Sequence, residues 1–367
     1  MSEWKEIKLG DVITFQRGHD LPKTDMVIGE FPVAGSNGII GFHNKATTKG
    51  PGVTIGRSGN IGTPIFYSKD YWAHNTVLFI KDFKNSFPKF IYYFLKSFDF
   101  SQFNAGSAVP TLNRNHIHEL NVKVPTLPEQ KLIAETLSSL DDKIDLLHRQ
   151  NKTLEQLAET LFRQWFIEEA EESWEGGTIN SLIEIQSGFA FKSTDFVEQG
   201  KYKLVTIKNV QDGYLDLSST NFINEIPKRM PEYCLLQQGD ILLSLTGNVG
   251  RCCLITEENL FLNQRVAKLR AKNNRDWGFT YIMFRQTTMR RMLEELAKGT
   301  AQANLSPIET GKMEIQIPPK ELLQKYSLEA TPLLEKVLKN KNQINTLTKL
   351  RDTLLPKLMS GEIRLNH

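Results

Sequence analysis

Gln150-Asn-Lys-Thr-Leu-Glu-Gln-Leu-Ala-Glu-Thr-Leu161 and Gln343-Ile-Asn-Thr-Leu-Thr-Lys-Leu-Arg-Asp-Thr-Leu354 are two copies of one segment, and the rest of the chain is read from them. Each lies inside a long helical run, the first from Pro128 to about Phe166 and the second from Lys320 to Leu358. In the first, apolar residues recur at Ile133, Leu137, Leu140, Ile144, Leu147, Leu154, Leu161 and Trp165, an alternation of four and three that keeps one stripe on one face. Leu333, Val337, Ile344, Leu347, Leu354 and Leu358 fall into the same phase in the second. At 1.5 Å per residue such a run extends roughly 60 Å, too long for one face of a small core, so it needs a partner rod. The stripe predicts that the two rods pair with each other as a coiled coil, and the pairing is expected to be antiparallel, which follows if the two halves are related by a pseudo-twofold axis. The competing reading is a bundle helix packed on its own domain. Asn151 and Asn340 fall in the stripe, where buried amides lower stability but help fix register.

Outside the rods the chain also repeats its plan. Gln186-Ser187-Gly188-Phe189 answers Gln16-Arg17-Gly18-His19, and Gly247-Asn248-Val249-Gly250 answers Gly59-Asn60-Ile61-Gly62. Asn263 answers Asn75, Gly299 with Leu305 answers Gly106 with Leu112, and Ile315-Gln316-Ile317-Pro318 answers Val122-Lys123-Val124-Pro125. The order is domain, rod, domain, rod: residues 1–126, 127–170, 171–318 and 319–367. In the first domain, short strands are predicted at Val12–Gln16, Val53–Gly56, Thr63–Tyr67, Val77–Ile80 and Leu120–Val124. Helices are predicted at Phe87–Ser97 and Asn113–Glu119. The fold class is therefore α+β, two mixed domains in tandem joined by two long antiparallel helices. Glu168, Glu169, Glu171 and Glu172 read as a solvated linker, and Pro332 inside the second rod predicts a kink or break near Thr331.

Length and composition allow two or three domains with real cores: 367 residues, 40% hydrophobic, 24% charged, and no apolar run long enough to span a bilayer. A cytoplasmic location is expected. Cys234, Cys252 and Cys253 lack the spacing of a disulfide framework or a zinc site and read as small buried residues. A net charge of +3 permits a polyanionic partner without requiring one. No phosphate-binding Gly-x-x-x-x-Gly-Lys loop, dinucleotide fingerprint or nucleophile elbow is present, and His116-x-His118 lacks an evident third metal ligand. These absences favour a binding protein over an enzyme.

The loops carry donors suited to DNA. Arg57, Ser58 and Asn60 in one half, and Thr246, Asn248 and Arg251 in the other, crowd a glycine-rich turn. A second cluster precedes each rod: Ser107, Thr111, Asn113 and Arg114, then Thr300, Gln302 and Asn304. Lys45, Lys208 and Asn209, from stretches that differ most between the halves, complete the candidate DNA-binding set. Each residue singly could also be a turn-capping side chain. Two copies of one frame carrying two different surfaces suggest a protein that reads two different things at a fixed separation.

Trp4-Lys-Glu-Ile-Lys-Leu-Gly-Asp11, Leu127-Pro-Glu-Gln-Lys-Leu-Ile-Ala134 and Leu354-Leu-Pro-Lys-Leu-Met-Ser-Gly-Glu-Ile363 resemble the DNA specificity subunits of Type I restriction-modification systems, over the whole chain. The opening of the second half, Trp174-Glu-Gly-Gly-Thr-Ile-Asn-Ser-Leu-Ile183, matches less well. The resemblance implies two target recognition domains, each reading one part of a bipartite site in double-stranded DNA. It implies helices that space them and dock two methyltransferase subunits, with motor-nuclease subunits joining the complex. It also implies that S-adenosylmethionine, ATP and magnesium chemistry belong to those partner chains, and that this chain holds no cofactor. A coiled-coil scaffold that never touches DNA, and an enzyme with an unrecognised centre, are the alternatives.

Overall fold

The computed structural model describes residues 4–100, 103, 111–298 and 304–365. Its contacts divide the chain into two compact units, 1–144 with 347–367, and 145–346.

The first unit opens with β1 (Lys5–Lys8), a helical turn α1 (Leu9–Val12) and β2 (Thr14–Arg17). There follow β3 (Phe31–Gly35), β4 (Gly38–His43), β5 (Gly52–Gly56), β6 (Pro64–Tyr67), β7 (Trp72–Ala73) and β8 (Val77–Asp82). Helices α2 (Pro88–Lys96) and α3 (Arg114–His118) and strand β9 (Asn121–Val124) lead into α4 (Leu127–Arg163). The sheets are ordered β2-β8-β5-β6 and β4-β3-β7, and β1 pairs antiparallel with β9. Val12, predicted as the start of a strand, instead closes the α1 turn, where Ile13 N–H donates to the Leu9 carbonyl. Pro88 begins α2, where its missing N–H costs nothing.

The second unit repeats this connectivity. It has β10 (Glu175–Thr178), the turn α5 (Ile179–Leu182), β11 (Ile183–Ser187), β12 (Tyr202–Val205), β13 (Asn221–Ile223) and β14 (Leu235–Leu236). Next come β15 (Ile241–Ser244), β16 (Cys252–Leu254), β17 (Leu260–Leu262) and β18 (Val266–Ala271). Helices α6 (Trp277–Arg285), α7 (Thr287–Lys298) and α8 (Pro307–Lys312), strand β19 (Glu314–Ile317) and helix α9 (Lys320–Ser360) complete it. The order β11-β18-β15-β16 matches β2-β8-β5-β6, and β10 pairs with β19 as β1 does with β9. The other sheet, β13-β12-β17-β14, has one strand more than its counterpart.

Within the second unit, Tyr326 Oη donates to the Ala158 carbonyl (3.0 Å) and Asn340 Nδ2 to Asn151 Oδ1 (2.9 Å), so α4 and α9 run antiparallel. Asn151, Leu147, Asn340, Val337 and Ile344 are buried; Leu154, Leu161 and Leu333 are half-buried. Within the first unit, Arg351 bonds Asp141 (2.8 Å), and Leu354 and Leu358 pack in one cluster with Ile133 and Leu137. Leu140, Ile144 and Leu347 are half-buried. The ends of the helices complete the cores of the two units. Ile133, Ala134 and Leu137 join Phe15, Ile55 and Phe90 in one core; Ala158, Phe162, Tyr326 and Leu334 join Leu243, Phe279 and Ile282 in the other.

The break predicted at Pro332 is absent, and α9 is one continuous helix. Pro332 is exposed, and the carbonyl deprived of a partner belongs to Leu328, a residue 78% exposed, so the missing bond falls on the solvent side of the helix.

Candidate nucleic-acid interface

In the first unit, a glycine-rich turn links β5 to β6. Gly59 and Gly62 take φ of 81° and 76°, the left-handed region that glycine enters without steric cost, and Gly62 N–H closes the turn on the Gly56 carbonyl (2.9 Å). The turn is tied down on two sides. Arg57 and Ser58 N–H both donate to the Thr76 carbonyl, and Leu112 N–H donates to the Arg57 carbonyl (2.9 Å), so Ser58 bridges to Thr111. At the end of β2, Gly18 packs so closely that a Cβ there would lie 2.0 Å from the His74 carbonyl oxygen. These tethers bring Arg57, Thr111 and Arg114 together with Gln16, Arg17, His19 and Asp20 around a cleft of about 940 Å³. Arg17 stands 3.7 Å from Asp20, which also accepts from Asn75. Asn60 accepts from Thr63 (3.1 Å) within the turn, and Lys45 is exposed beyond β4, outside the cleft.

The second unit builds the same frame with other side chains. Gly247 and Gly250 take φ of 71° and 79°, Gly250 N–H reaches the Ser244 carbonyl (3.0 Å), Leu305 N–H reaches the Leu245 carbonyl (2.7 Å), and Thr246 bridges to Asn304. Gly188 repeats the close approach, a Cβ there lying 2.1 Å from the Asn263 carbonyl oxygen. Arg251 donates to Gln211, and both its terminal nitrogens lie against the side-chain amide of Asn248 (3.2 and 3.0 Å). Thr246 Oγ1 is buried without a partner among the described residues, and Lys208 is exposed. Asn209 is a correction: it is 1% exposed, accepts from the Thr206 N–H and hydroxyl, and donates to the carbonyls of Asp216 and Ser219. Its amide is consumed in organising a loop and is not available to DNA. Ser107, Gln302, Gly106, Gly299 and Thr300 lie outside the described residues.

Arg17 belongs to the repeat frame in sequence and is absent from the predicted site; its place within a Gln-x-Gly anchor that recurs in both halves is the available signal. A second group it missed joins the second head to its helices. Arg285 on α6 reaches Glu155 (3.2 Å) and Tyr281 Oη (2.9 Å), with Glu159 and Asp212 at 3.9 Å, while Lys341 reaches Glu155 (3.1 Å) and the Gly213 carbonyl (2.9 Å). Burial holds the Glu159 carboxyl above its usual range, against the pull of Arg285. In the first unit, Glu129 is 8% exposed and takes Arg364 at 2.5 and 2.8 Å and the Trp4 indole N–H at 3.2 Å. Arg364 also stacks over the Trp4 ring.

The three cysteines are buried as predicted, and desolvation pushes the Cys253 thiol up to about 12. His118 Nε2 accepts from the Phe15 N–H (2.9 Å), so that nitrogen is not open to a metal. Among the described residues no group of three His, Cys, Asp or Glu side chains has metal-site geometry, and no helix is long and apolar enough to cross a membrane.

The sequence matches the profile of the Type I restriction modification DNA specificity domain over residues 1–156 and again over 171–349. It is 28% identical to the Type I restriction enzyme MjaIX specificity subunit of Methanocaldococcus jannaschii, over 80% of this chain and 74% of that one. It is 23% identical to the HindI specificity subunit of Haemophilus influenzae, over 99% and 100%. The fold is similar to the crystal structure of a Type I restriction-modification S subunit from M. genitalium, with a TM-score of 0.70 and 20% identity over 97% of this chain and 96% of that one.

Proposed function

The chain belongs to the family of Type I restriction-modification DNA specificity domains, and from that premise we propose that it reads a bipartite, asymmetric site in double-stranded DNA, one half-site per head. The observation that carries this reading is one tethered glycine turn built twice and faced differently: Arg57 and Ser58 in the first head stand where Leu245 and Thr246 stand in the second. A frame kept constant while its exposed donors change is what two independent readers need, since base edges are told apart by the pattern of donors and acceptors presented to them.

In this reading the chain is non-catalytic and works in the cytoplasm. It docks two methyltransferase subunits and, through them, motor-nuclease subunits. S-adenosylmethionine, ATP and magnesium act in those partners. Leu146 and Leu157, eleven residues apart and therefore on one face of α4, are 39% and 47% exposed, which supports helix docking there. The lengths of α4 and α9 set the number of unread base pairs between the half-sites.

Co-expression with a cognate methyltransferase subunit, followed by genome-wide mapping of methyladenine, tests the proposal. One bipartite motif with a fixed gap is the expected result. No new methylation by a soluble complex of both chains, with no salt-dependent DNA binding, would instead favour a scaffold that does not touch DNA.

A further inference from the structure

The two heads share a frame but not its charge. The first unit carries 20 Lys and Arg against 16 Asp and Glu, net +4; the second carries 25 against 26, net −1. Part of the difference lies in the cleft at the end of β2, where Arg17, Arg57 and Arg114 face one space and, among the described residues, Asp20 is the one acidic side chain lining it. Among the described residues neither Arg57 nor Arg114 has a carboxylate within ion-pair distance, and the sequence of 101–110 contains no Asp or Glu. The repeat supplies an internal control. Arg17 corresponds to Ser187 in the Gln-x-Gly anchor. Arg57 corresponds to Leu245, whose carbonyl takes the same backbone bond, and Arg114 to Pro307, one residue after the matched N-caps Asn113 and Ser306. Leu245 is 4% exposed and belongs to the core. Three arginines thus line one cleft at positions whose counterparts in the other head, Ser187, Leu245 and Pro307, carry no charge, while that head places the exposed Arg265 where the first has Thr76.

Building on the DNA-reading proposal above, we propose that this cleft is an acceptor-binding subsite present in the first head alone. Arg17, Arg57 and Arg114 there grip paired acceptor atoms of DNA, either phosphate oxygens or the O6 and N7 of guanine. A guanidinium offers parallel N–H donors that match either pair, and each phosphate neutralised releases counterions and steepens the salt dependence of binding. The second head engages its half-site without this cluster of three, through Arg251, Arg265, Asn248 and neutral donors.

The test uses the full chain in complex with its methyltransferase subunit and a randomised pool of duplex DNA, measuring affinity against salt and sequencing the selected pool. The variant R17Q/R57Q/R114Q is compared with K5Q/K81Q/K123Q, which removes three exposed charges of the same unit away from the cleft. If the arginines hold phosphates, the salt slope falls by about 2.7 for the arginine variant. Between 50 and 200 mM salt the wild type then loses about 40-fold more affinity than the variant, and the selected sequence is unchanged. If they read guanine, the slope moves less and one half-site loses a G preference while the other keeps its sequence. Either result supports the subsite. Should the triple variant lose its thermal unfolding transition, R17Q and R114Q singly carry the same test at exposed side chains, about 0.9 in slope each. Slopes and sequences matching those of the lysine control would overturn the subsite while leaving DNA reading intact; absence of any salt-dependent binding by the wild type would overturn both.

Discussion

His118 shows how one side chain can tie acid sensitivity to the frame of a site. Its Nε2 accepts the Phe15 N–H, its ring stacks on Phe15, and burial together with Arg114 and Lys84 holds it below its usual pKa. A folded pKa below the unfolded one means stability that is present above about pH 6.5 and lost as pH falls through the folded value, because the unfolded chain takes up the proton first. The urea midpoint of the wild type should therefore drop more between pH 7 and pH 5 than that of His118→Gln, which keeps an acceptor without titrating. Equal drops would show that the Phe15 bond does not govern this loss. At the helix seam, Asn340 is fully buried against Asn151. Asn340→Ala should cost about 1–3 kcal/mol in urea denaturation, the penalty of an orphaned buried amide, whereas N151L/N340L should recover most of it. The seam amides were legible in sequence because a polar residue set in phase with an apolar stripe is carried to the same buried face as its neighbours. Asn209 was misread because a loop amide that caps its own turn looks, in sequence, like one that reaches a base.

At the scale of elements, α9 illustrates how tertiary context overrides local propensity. Pro332 and Pro356 both lie inside one helix, and both are exposed, so the missing hydrogen bonds fall where water can replace them. Periodicity predicted both long helices but not that their ends would be core elements of the heads. Nor did it reveal β3 and β4, whose exposed Ile39, Ile40 and Phe42 break the alternation by which strands are recognised. The contact between α4 and α6 carries its own prediction. Glu159 has a carboxyl raised by burial, so its contribution to stability is present below the usual carboxylate range and lost as pH rises through the folded value. Glu159→Gln should therefore raise the denaturation midpoint at pH 7 and leave it nearly unchanged at pH 4. A lower midpoint at pH 7 would mean that the attraction to Arg285 outweighs desolvation.

For the whole molecule, the proposed division of labour makes two outcomes separable. Removing one heptad from each of α4 and α9 should shorten the unread gap of the methylated motif and keep both half-site sequences, as long-read methylation mapping would register; an unchanged gap would sever helix length from spacing. Exchanging residues 1–126 for another reading head should change one half-site only. The sequence by itself determined the tandem plan, the two long helices and the positions of both glycine turns. These rest on periodicity and on backbone conformations that only certain residues allow, and both are local properties. Only the tertiary structure decided that Arg17, Arg57 and Arg114 share one cleft, that Asn209 is spent inside a loop, and that Glu129 receives Arg364 from 235 residues along the chain. Residues far apart in sequence meet through strand pairing and core burial, and no spacing along the chain encodes which of them will meet.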